Sequence, residues 1–133
     1  MNIVTTRTVD NRFETDALRA GFVMDLVALT TGVPKSEMRL ATRGTAKAAR
    51  ARQVAMYLAY VAWGWTMARV GAAFGRDRTT AGYACKLVEE LRDERGFDRM
   101  LDQLEACLKD APMPRAVKLL RTDLLEMRDA VAA

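Results

Sequence analysis

The chain has 133 residues, half of them hydrophobic, and a formal net charge of +4. This length suits one domain with a single hydrophobic core. Because the sequence contains no histidine, catalytic sites built on a Ser–His or Cys–His pair and metal sites built on imidazole are excluded. The longest apolar run, Val54–Trp65, is too short for a membrane-spanning helix.

The positive charge is concentrated in the middle of the chain. Between Lys35 and Val88 there are ten Lys or Arg residues but only two acidic residues, Glu37 and Asp77. The rest of the chain has eleven basic and fifteen acidic residues, so its net charge is negative. A basic segment between acidic flanks favours a polyanion as partner, although an ordinary soluble surface rich in Lys and Arg gives a similar count.

Apolar residues recur every three or four positions along most of the chain, which predicts helices and no strands. In order, we expect a flexible tail over residues 1–11 and helices over residues 12–30, 34–40, 48–63, 67–74, 78–93, 97–108 and 116–131. The apolar face of the first long helix is predicted to contain Leu18, Phe22, Leu26 and Leu29. The predicted fold class is therefore all-α, with a compact multi-helix domain over residues 12–111 and an extra C-terminal helix within 112–133.

Local signals mark the ends of the central helices. Gly64 stands where a left-handed C-cap is needed, and Thr66 and Asp77 are favourable N-caps. The two cysteines, Cys85 and Cys107, each fall in an apolar helical stripe, so we expect small hydrophobic side chains rather than a disulfide. This use of cysteine fits a reducing compartment, and residues 1–11 lack the apolar core of a signal peptide.

Two helices of unequal length, 67–74 and 78–93, are joined by a tight turn that contains Gly75, which is typical of a helix-turn-helix. One side of the second helix carries small and apolar residues (Ala81, Ala84, Cys85, Val88 and Leu91). The other side carries Thr79, Tyr83 and Lys86, with Arg78 and Thr80 at its N-terminal end. These side chains can donate to bases and phosphates, so we call 78–93 the recognition helix. An ordinary amphipathic helix with a polar outer face has the same pattern.

A series of short motifs from about Val27 to Leu91 resembles the C-terminal DNA-binding domain of the bacterial replication initiator DnaA. In that family an Arg–Gln pair opens a long apolar helix. An [IV]-G-x-x-F helix follows, then a turn with R-D-H-[ST]-T, a small pair such as A-C, and a K-[IV]-E-x-L run. The corresponding segments here are Arg52–Gln53, Val70–Phe74, Arg76–Thr80, Ala84–Cys85 and Lys86–Leu91.

The resemblance implies a role for each matching residue. Asp77, Arg78, Thr79 and Thr80 would enter the major groove, and Lys86 would contact the DNA backbone. Arg50 and Arg52 would lie near phosphates at the start of the long helix. A basic loop would place an Arg in the minor groove, for which Arg43 is the nearest candidate, although Gly44 aligns equally well. The complete predicted DNA-binding set is Arg43, Lys47, Arg50, Arg52, Arg76, Asp77, Arg78, Thr79, Thr80, Tyr83 and Lys86.

The sequence departs from the DnaA pattern in its reading residues. Arg78 replaces the central His of the turn, Tyr83 replaces a later His, and one glycine follows Phe74 where the initiator often has two. The base preference is therefore expected to differ from that of the replication-origin box. The Arg-for-His turn resembles small stand-alone transcription regulators of alphaproteobacteria, including activators of gene transfer agent clusters.

The chain has no phosphate-binding loop for ATP and no catalytic constellation, so we predict neither an enzyme nor a cofactor or metal site. The leading hypothesis is a cytoplasmic, nucleoid-associated transcription regulator that binds double-stranded DNA in a sequence-specific manner. The alternative is a helical protein–protein adaptor of the replication or transcription machinery. Residues 116–131 have apolar residues at heptad spacing, which fits either a helix that covers the core or one that docks a second copy, RNA polymerase or another transcription factor. No membrane partner is expected.

Overall fold

The fold is given by a computed structural model that describes residues 3–40 and 44–110, with side chains from residue 14 onward. These residues form six α-helices and no strand, which confirms the all-α prediction. The helices are α1 (Ile3–Thr31), α2 (Lys35–Met38), α3 (Ala46–Trp63), α4 (Met67–Phe74), α5 (Arg78–Leu91) and α6 (Arg95–Asp110). The helix predicted over residues 116–131 lies outside the described residues.

The start of α1 differs from the prediction. The helix begins at Ile3 rather than near Arg12, so most of the segment predicted as a tail, residues 1–11, is helical. Hydrophobic periodicity detects a helix only where one face is buried against a core. The residues before Arg12 have no continuous apolar face. The first turns of α1 therefore cannot be predicted from the spacing of apolar residues.

Helix α3 is the centre of the molecule and packs against α1, α4, α5 and α6. Eight of its residues between Ala48 and Ala59 are buried, so the helix contributes to the core on more than one side. The buried face of α1 consists of Ala20, Val23, Met24 and Val27. The face predicted for α1 is wrong at its ends, because Leu18 is 38% exposed and Leu29 is 85% exposed. Two adjacent stripes of α1 are apolar, and their spacing alone does not indicate which one meets α3.

The connection between α3 and α4 follows the predicted caps. Gly64 has a φ of 65°, which is the left-handed conformation that glycine adopts without strain. The Thr66 hydroxyl accepts a hydrogen bond from the Arg69 amide at 3.2 Å and caps α4. Trp65, which precedes this cap, and Val70, which follows it, are both buried in one cluster, the arrangement of a hydrophobic staple. The direction in which α4 leaves α3 is therefore fixed by local interactions.

An ion pair connects α1 to α4. The Arg69 guanidinium donates to both carboxylate oxygens of Asp16, at 2.8 and 2.9 Å, and Asp16 is only 8% exposed. The same guanidinium lies 4.5 Å from the ring centre of Trp65, within the range of a cation–π interaction. The charge of the half-buried Arg69 is therefore neutralised by the buried Asp16, although Arg69 counts among the basic residues of the middle segment.

A second polar network fixes the C-terminal end of α5. Tyr57, which is buried in α3, donates its hydroxyl proton to Glu89 and accepts a hydrogen bond from Arg92 at 3.2 Å. Arg92 also pairs with Asp98 and Asp102 of α6. Burial, with the hydrogen bond to Glu89 as the second cause, raises the pKa of Tyr57 to about 12, so the hydroxyl stays protonated at neutral pH.

The two cysteines have different surroundings. Cys85 is buried in the core, and this burial raises the pKa of its thiol to about 11. Cys107 is exposed, so its predicted place in an apolar stripe of α6 does not bury it. Both are free cysteines.

Replacing Asp16 with Ala should leave the Arg69 guanidinium without its carboxylate partner. We expect the free energy of unfolding to fall by about 1.5–3 kcal/mol, the range for hydrogen bonds to charged groups. The control is Asp25→Ala, because the Asp25–Lys35 pair at 3.0 Å is more exposed and should contribute no more than about 1 kcal/mol. Urea titration followed by circular dichroism measures both, and equal losses would contradict the assigned role of Asp16.

Candidate nucleic-acid interface

The turn between α4 and α5 is built from main-chain hydrogen bonds. Gly75 ends α4 in the left-handed conformation, with φ 66°. Its amide donates to the Ala72 carbonyl at 3.3 Å, and the Arg76 amide donates to the Gly71 carbonyl at 2.8 Å. These two bonds form a Schellman motif, which satisfies the last carbonyls of α4 and reverses the chain within a few residues.

Gly71 allows this turn to pack closely against α4. A Cβ atom at Gly71 would lie 2.7 Å from the Arg76 carbonyl oxygen and 3.0 Å from that of Asp77. Both atoms belong to the main chain and cannot rotate away. The position therefore requires glycine, and the close contact sets the distance between α4 and the start of α5.

Asp77 caps the N-terminus of α5, as the sequence predicts. Its carboxylate accepts a hydrogen bond from the Thr80 amide at 2.7 Å. This bond, followed by a second one from the Thr80 hydroxyl, holds the pKa of the Asp77 carboxyl below its ordinary value. The carboxylate also meets the positive end of the helix dipole.

Helix α5 divides into a buried and an exposed face along the predicted boundary. Its buried residues are Ala81, Ala84, Cys85 and Val88. The exposed side chains include the five predicted contact residues of the helix, with Tyr83 at 63% exposure (Arg78, Thr79, Thr80, Tyr83 and Lys86). The first acidic residue of α5 is Glu89, which is held by Tyr57. After the exposed Asp77 cap, the N-terminal part of the outer face therefore presents hydroxyl groups and cations.

Two further predicted cations lie at the start of α3, where the Thr45 hydroxyl caps the helix by accepting from the Ala48 amide at 3.0 Å. Lys47 is exposed. Arg50 is half-buried, and its Nη1 atom has no hydrogen-bond partner among the described residues. Both side chains line a groove of about 400 Å³ whose walls include Phe97 of α6.

Arg52 and Arg76 come together at the end of α2. Arg52 donates from Nη1 to the carbonyl oxygens of Met38 and Leu40, both at 3.4 Å, and Arg76 donates from Nη2 to the same Leu40 carbonyl. Burial, followed by the nearby charge of Arg76, lowers the pKa of the Arg52 guanidinium. The two arginines thus hold the segment that follows α2 beside the turn that precedes α5. Arg43, the minor-groove candidate, lies outside the described residues.

A short helix, a tight turn and a capped helix follow one another here, and the last has an exposed polar face. The same arrangement is found in a known protein family. A family model for the bacterial DnaA protein helix-turn-helix matches residues 21–88, just over half of the chain. The chain belongs to this DnaA helix-turn-helix family. The match runs from the middle of α1 to the end of the buried face of α5, and it confirms the resemblance found in the sequence motifs.

Some features of the structure fall outside the matched DnaA region. Asp16 precedes the match, and α6 with Asp98 and Asp102 follows it, so both polar networks are completed by residues beyond residues 21–88. In the part of the chain that the structure describes, no group of three or more Cys, Asp or Glu side chains is placed to hold a metal ion. No helix in these described segments is both long and apolar enough to cross a membrane.

Sequence reasoning missed two features of the DnaA-type site. Gly71 was visible in the V-G-x-x-F motif, but the motif alone does not show that its missing side chain makes room for the main chain at Arg76. The convergence of Arg52 and Arg76 on Leu40 joins residues far apart in the chain. No periodicity or spacing rule predicts such a contact, so the sequence alone indicates only a phosphate-binding role for Arg52.

Gly71→Ala should force α4 and the turn apart. We expect a loss of about 1–3 kcal/mol in the free energy of unfolding, the usual effect of inserting atoms into a packed site. Gly44→Ala is the control, because its Cβ would meet only the Ala48 side chain at an ordinary 3.6 Å. Urea titration of the two variants provides the measurement. A Gly71→Ala protein as stable as the parent would show that the turn is not closely packed.

Asp77→Ala should lower the melting temperature by removing the cap of α5, whereas Asp77→Asn should retain most of it. Because folding lowers the pKa of Asp77, the charged carboxylate stabilises the protein above its unfolded-state pKa, and this contribution is lost as the pH falls through the folded-state pKa. The difference in melting temperature between the parent protein and Asp77→Asn should therefore shrink under acidic conditions. If Asp77→Ala kept its melting temperature but lost sequence preference on DNA, base reading rather than capping would be the role of Asp77.

Proposed function

We propose that this protein is a sequence-specific regulator of transcription that binds double-stranded DNA by inserting α5 into the major groove. The observation that carries the proposal is the exposed N-terminal face of α5, which follows a rigid turn and belongs to the DnaA helix-turn-helix family. A helix of this diameter fits the major groove, and recognition helices of helix-turn-helix proteins contact base edges with their N-terminal residues.

The proposed contacts follow from the chemistry of the exposed side chains. Arg78 offers a planar pair of donors that suits guanine, and Thr79 and Thr80 offer a hydroxyl and a methyl group to base edges. Lys86 lies two turns further along α5, where a single cation suits a phosphate. Tyr83 is the remaining exposed side chain of this set.

Other cations would hold the DNA backbone. We assign Lys47 and Arg50 to phosphate, because they stand at the N-terminal end of α3 and neither has an ion pair with a described residue. Arg52 and Arg76 hold the segment after α2 and would contribute mainly by keeping the turn in place. Arg69 is excluded from this set because Asp16 neutralises it.

The Arg-for-His turn supports a stand-alone regulator in the nucleoid, of the kind that activates a gene transfer agent cluster, acting without an enzymatic activity or a cofactor. Residues 112–133 would supply the contact with RNA polymerase, another transcription factor or a second copy. The competing function is a protein–protein adaptor that reuses the helical scaffold, and it gains support only if the protein fails to bind duplex DNA at low salt.

Binding titrations with a duplex obtained by in vitro selection test the base-reading and phosphate roles separately. Thr80→Val should cost about 1–3 kcal/mol on the selected duplex and relax the preference at one position. Lys86→Ala should weaken all sequences alike and reduce the slope of log K against log salt by about one. The control is Arg99→Ala, an exposed cation of α6 that should leave both quantities unchanged.

Each variant's melting temperature is measured alongside, because the Thr80 hydroxyl also bonds to Asp77. If Thr80→Val and Lys86→Ala both bound the selected duplex like the parent protein, α5 would not be the recognition helix.

A further inference from the structure

Gly82 occupies an unusual place on α5. It lies four residues after Arg78 and four residues before Lys86, so the three residues form one row along the helix, with Gly82 half-buried. Arg78 and Lys86 are both exposed, and Gly82 forms a gap between these two cations. Their Cα atoms are separated by about 12 Å along the helix axis, from the rise of 1.5 Å per residue.

Glycine at this position is unfavourable for the helix itself. Among all residues only proline is worse in a helix interior, because glycine loses the most backbone freedom when the chain folds. Gly82 is the fifth of the fourteen residues of α5 and lies beyond the first turn that follows the Asp77 cap. A residue that weakens the helix at such a place calls for a compensating reason.

No such reason is found in the part of the protein that the structure describes. Gly75 has a positive φ and Gly71 meets the main chain of the turn, so both glycines are required by the fold. Gly82 has a helical φ, and a Cβ built on it would have no described heavy atom within 4 Å. A Cβ atom would therefore fit there in the free protein.

We propose that the glycine is needed for DNA binding, because the duplex approaches the main chain of α5 directly at Gly82. This inference rests on the proposed function, because it assumes that the face with Arg78 and Lys86 meets the DNA. A side chain at Gly82 would point outward between the two cations and hold the helix axis away from the groove. Without it, Arg78 and Lys86 can both reach the DNA while the helix backbone lies against it.

The test enlarges residue 82 in two steps. Gly82→Ala should raise the melting temperature of the free protein by about 2–4 °C, because alanine favours the helix and a Cβ fits without contact. The same variant should bind the selected duplex more weakly than the parent. Gly82→Leu should weaken binding further, by about tenfold or more, the effect of forcing an extra side chain into a packed interface. A more stable free protein that binds DNA more weakly would show that glycine at residue 82 serves DNA binding and not folding.

The matched control is Ala106→Leu, which enlarges an exposed residue of α6 and should leave DNA affinity unchanged. If the parent protein binds no duplex at low salt, the proposed function and this inference are both overturned. If the parent protein binds but Gly82→Leu binds equally well, the proposed function stands and only the role of Gly82 is wrong. A lower melting temperature of Gly82→Ala would show that the free protein needs this glycine, which also overturns the inference.

Discussion

The close contact between Gly71 and the main chain at Arg76 and Asp77 is the constraint on which the candidate interface depends. A Cβ atom added at Gly71 would lie only 2.7 Å from the Arg76 carbonyl oxygen. The main chain of α4 therefore packs directly against the turn that precedes α5. Because the turn cannot move away, the position of the Asp77 cap relative to α4 is fixed. The exposed side chains that follow Asp77 are therefore presented by a rigid backbone, which a recognition helix needs in order to distinguish base pairs.

Two polar networks outside this turn connect the helix-turn-helix to α1, α3 and α6. The Asp16–Arg69 pair connects α4 to α1, and the contacts of Tyr57 and Arg92 connect the far end of α5 to α3 and α6. Buried and half-buried charge pairs of this kind require well-defined geometry, because an unpaired charge in the same place is costly. The helix-turn-helix is thus connected at both ends to residues outside the family match.

The features that can be predicted from the sequence are those whose cause is local. The bounds of α4, the caps at Thr66 and Asp77 and the two faces of α5 each depend on residues a few positions apart, and all of these predictions are confirmed. Contacts between distant residues, such as Arg52 with Leu40, were missed because the sequence gives no rule for them. The buried face of α1 was misassigned because helix periodicity shows that apolar stripes exist but not which stripe meets the core. The DNA contacts remain predictions, since exposure shows that a side chain is available and not what it binds.

The most direct test of the central claim, that α5 reads the major groove, is methylation interference on a duplex selected for binding. Dimethyl sulfate methylates guanine N7, which lies in the major groove, and adenine N3, which lies in the minor groove. The account predicts that methylation of particular guanine N7 atoms blocks binding, and that Arg78→Ala removes the interference at one of them. Strong binding without N7 interference, or interference at adenine N3 alone, would contradict the placement of α5 in the major groove.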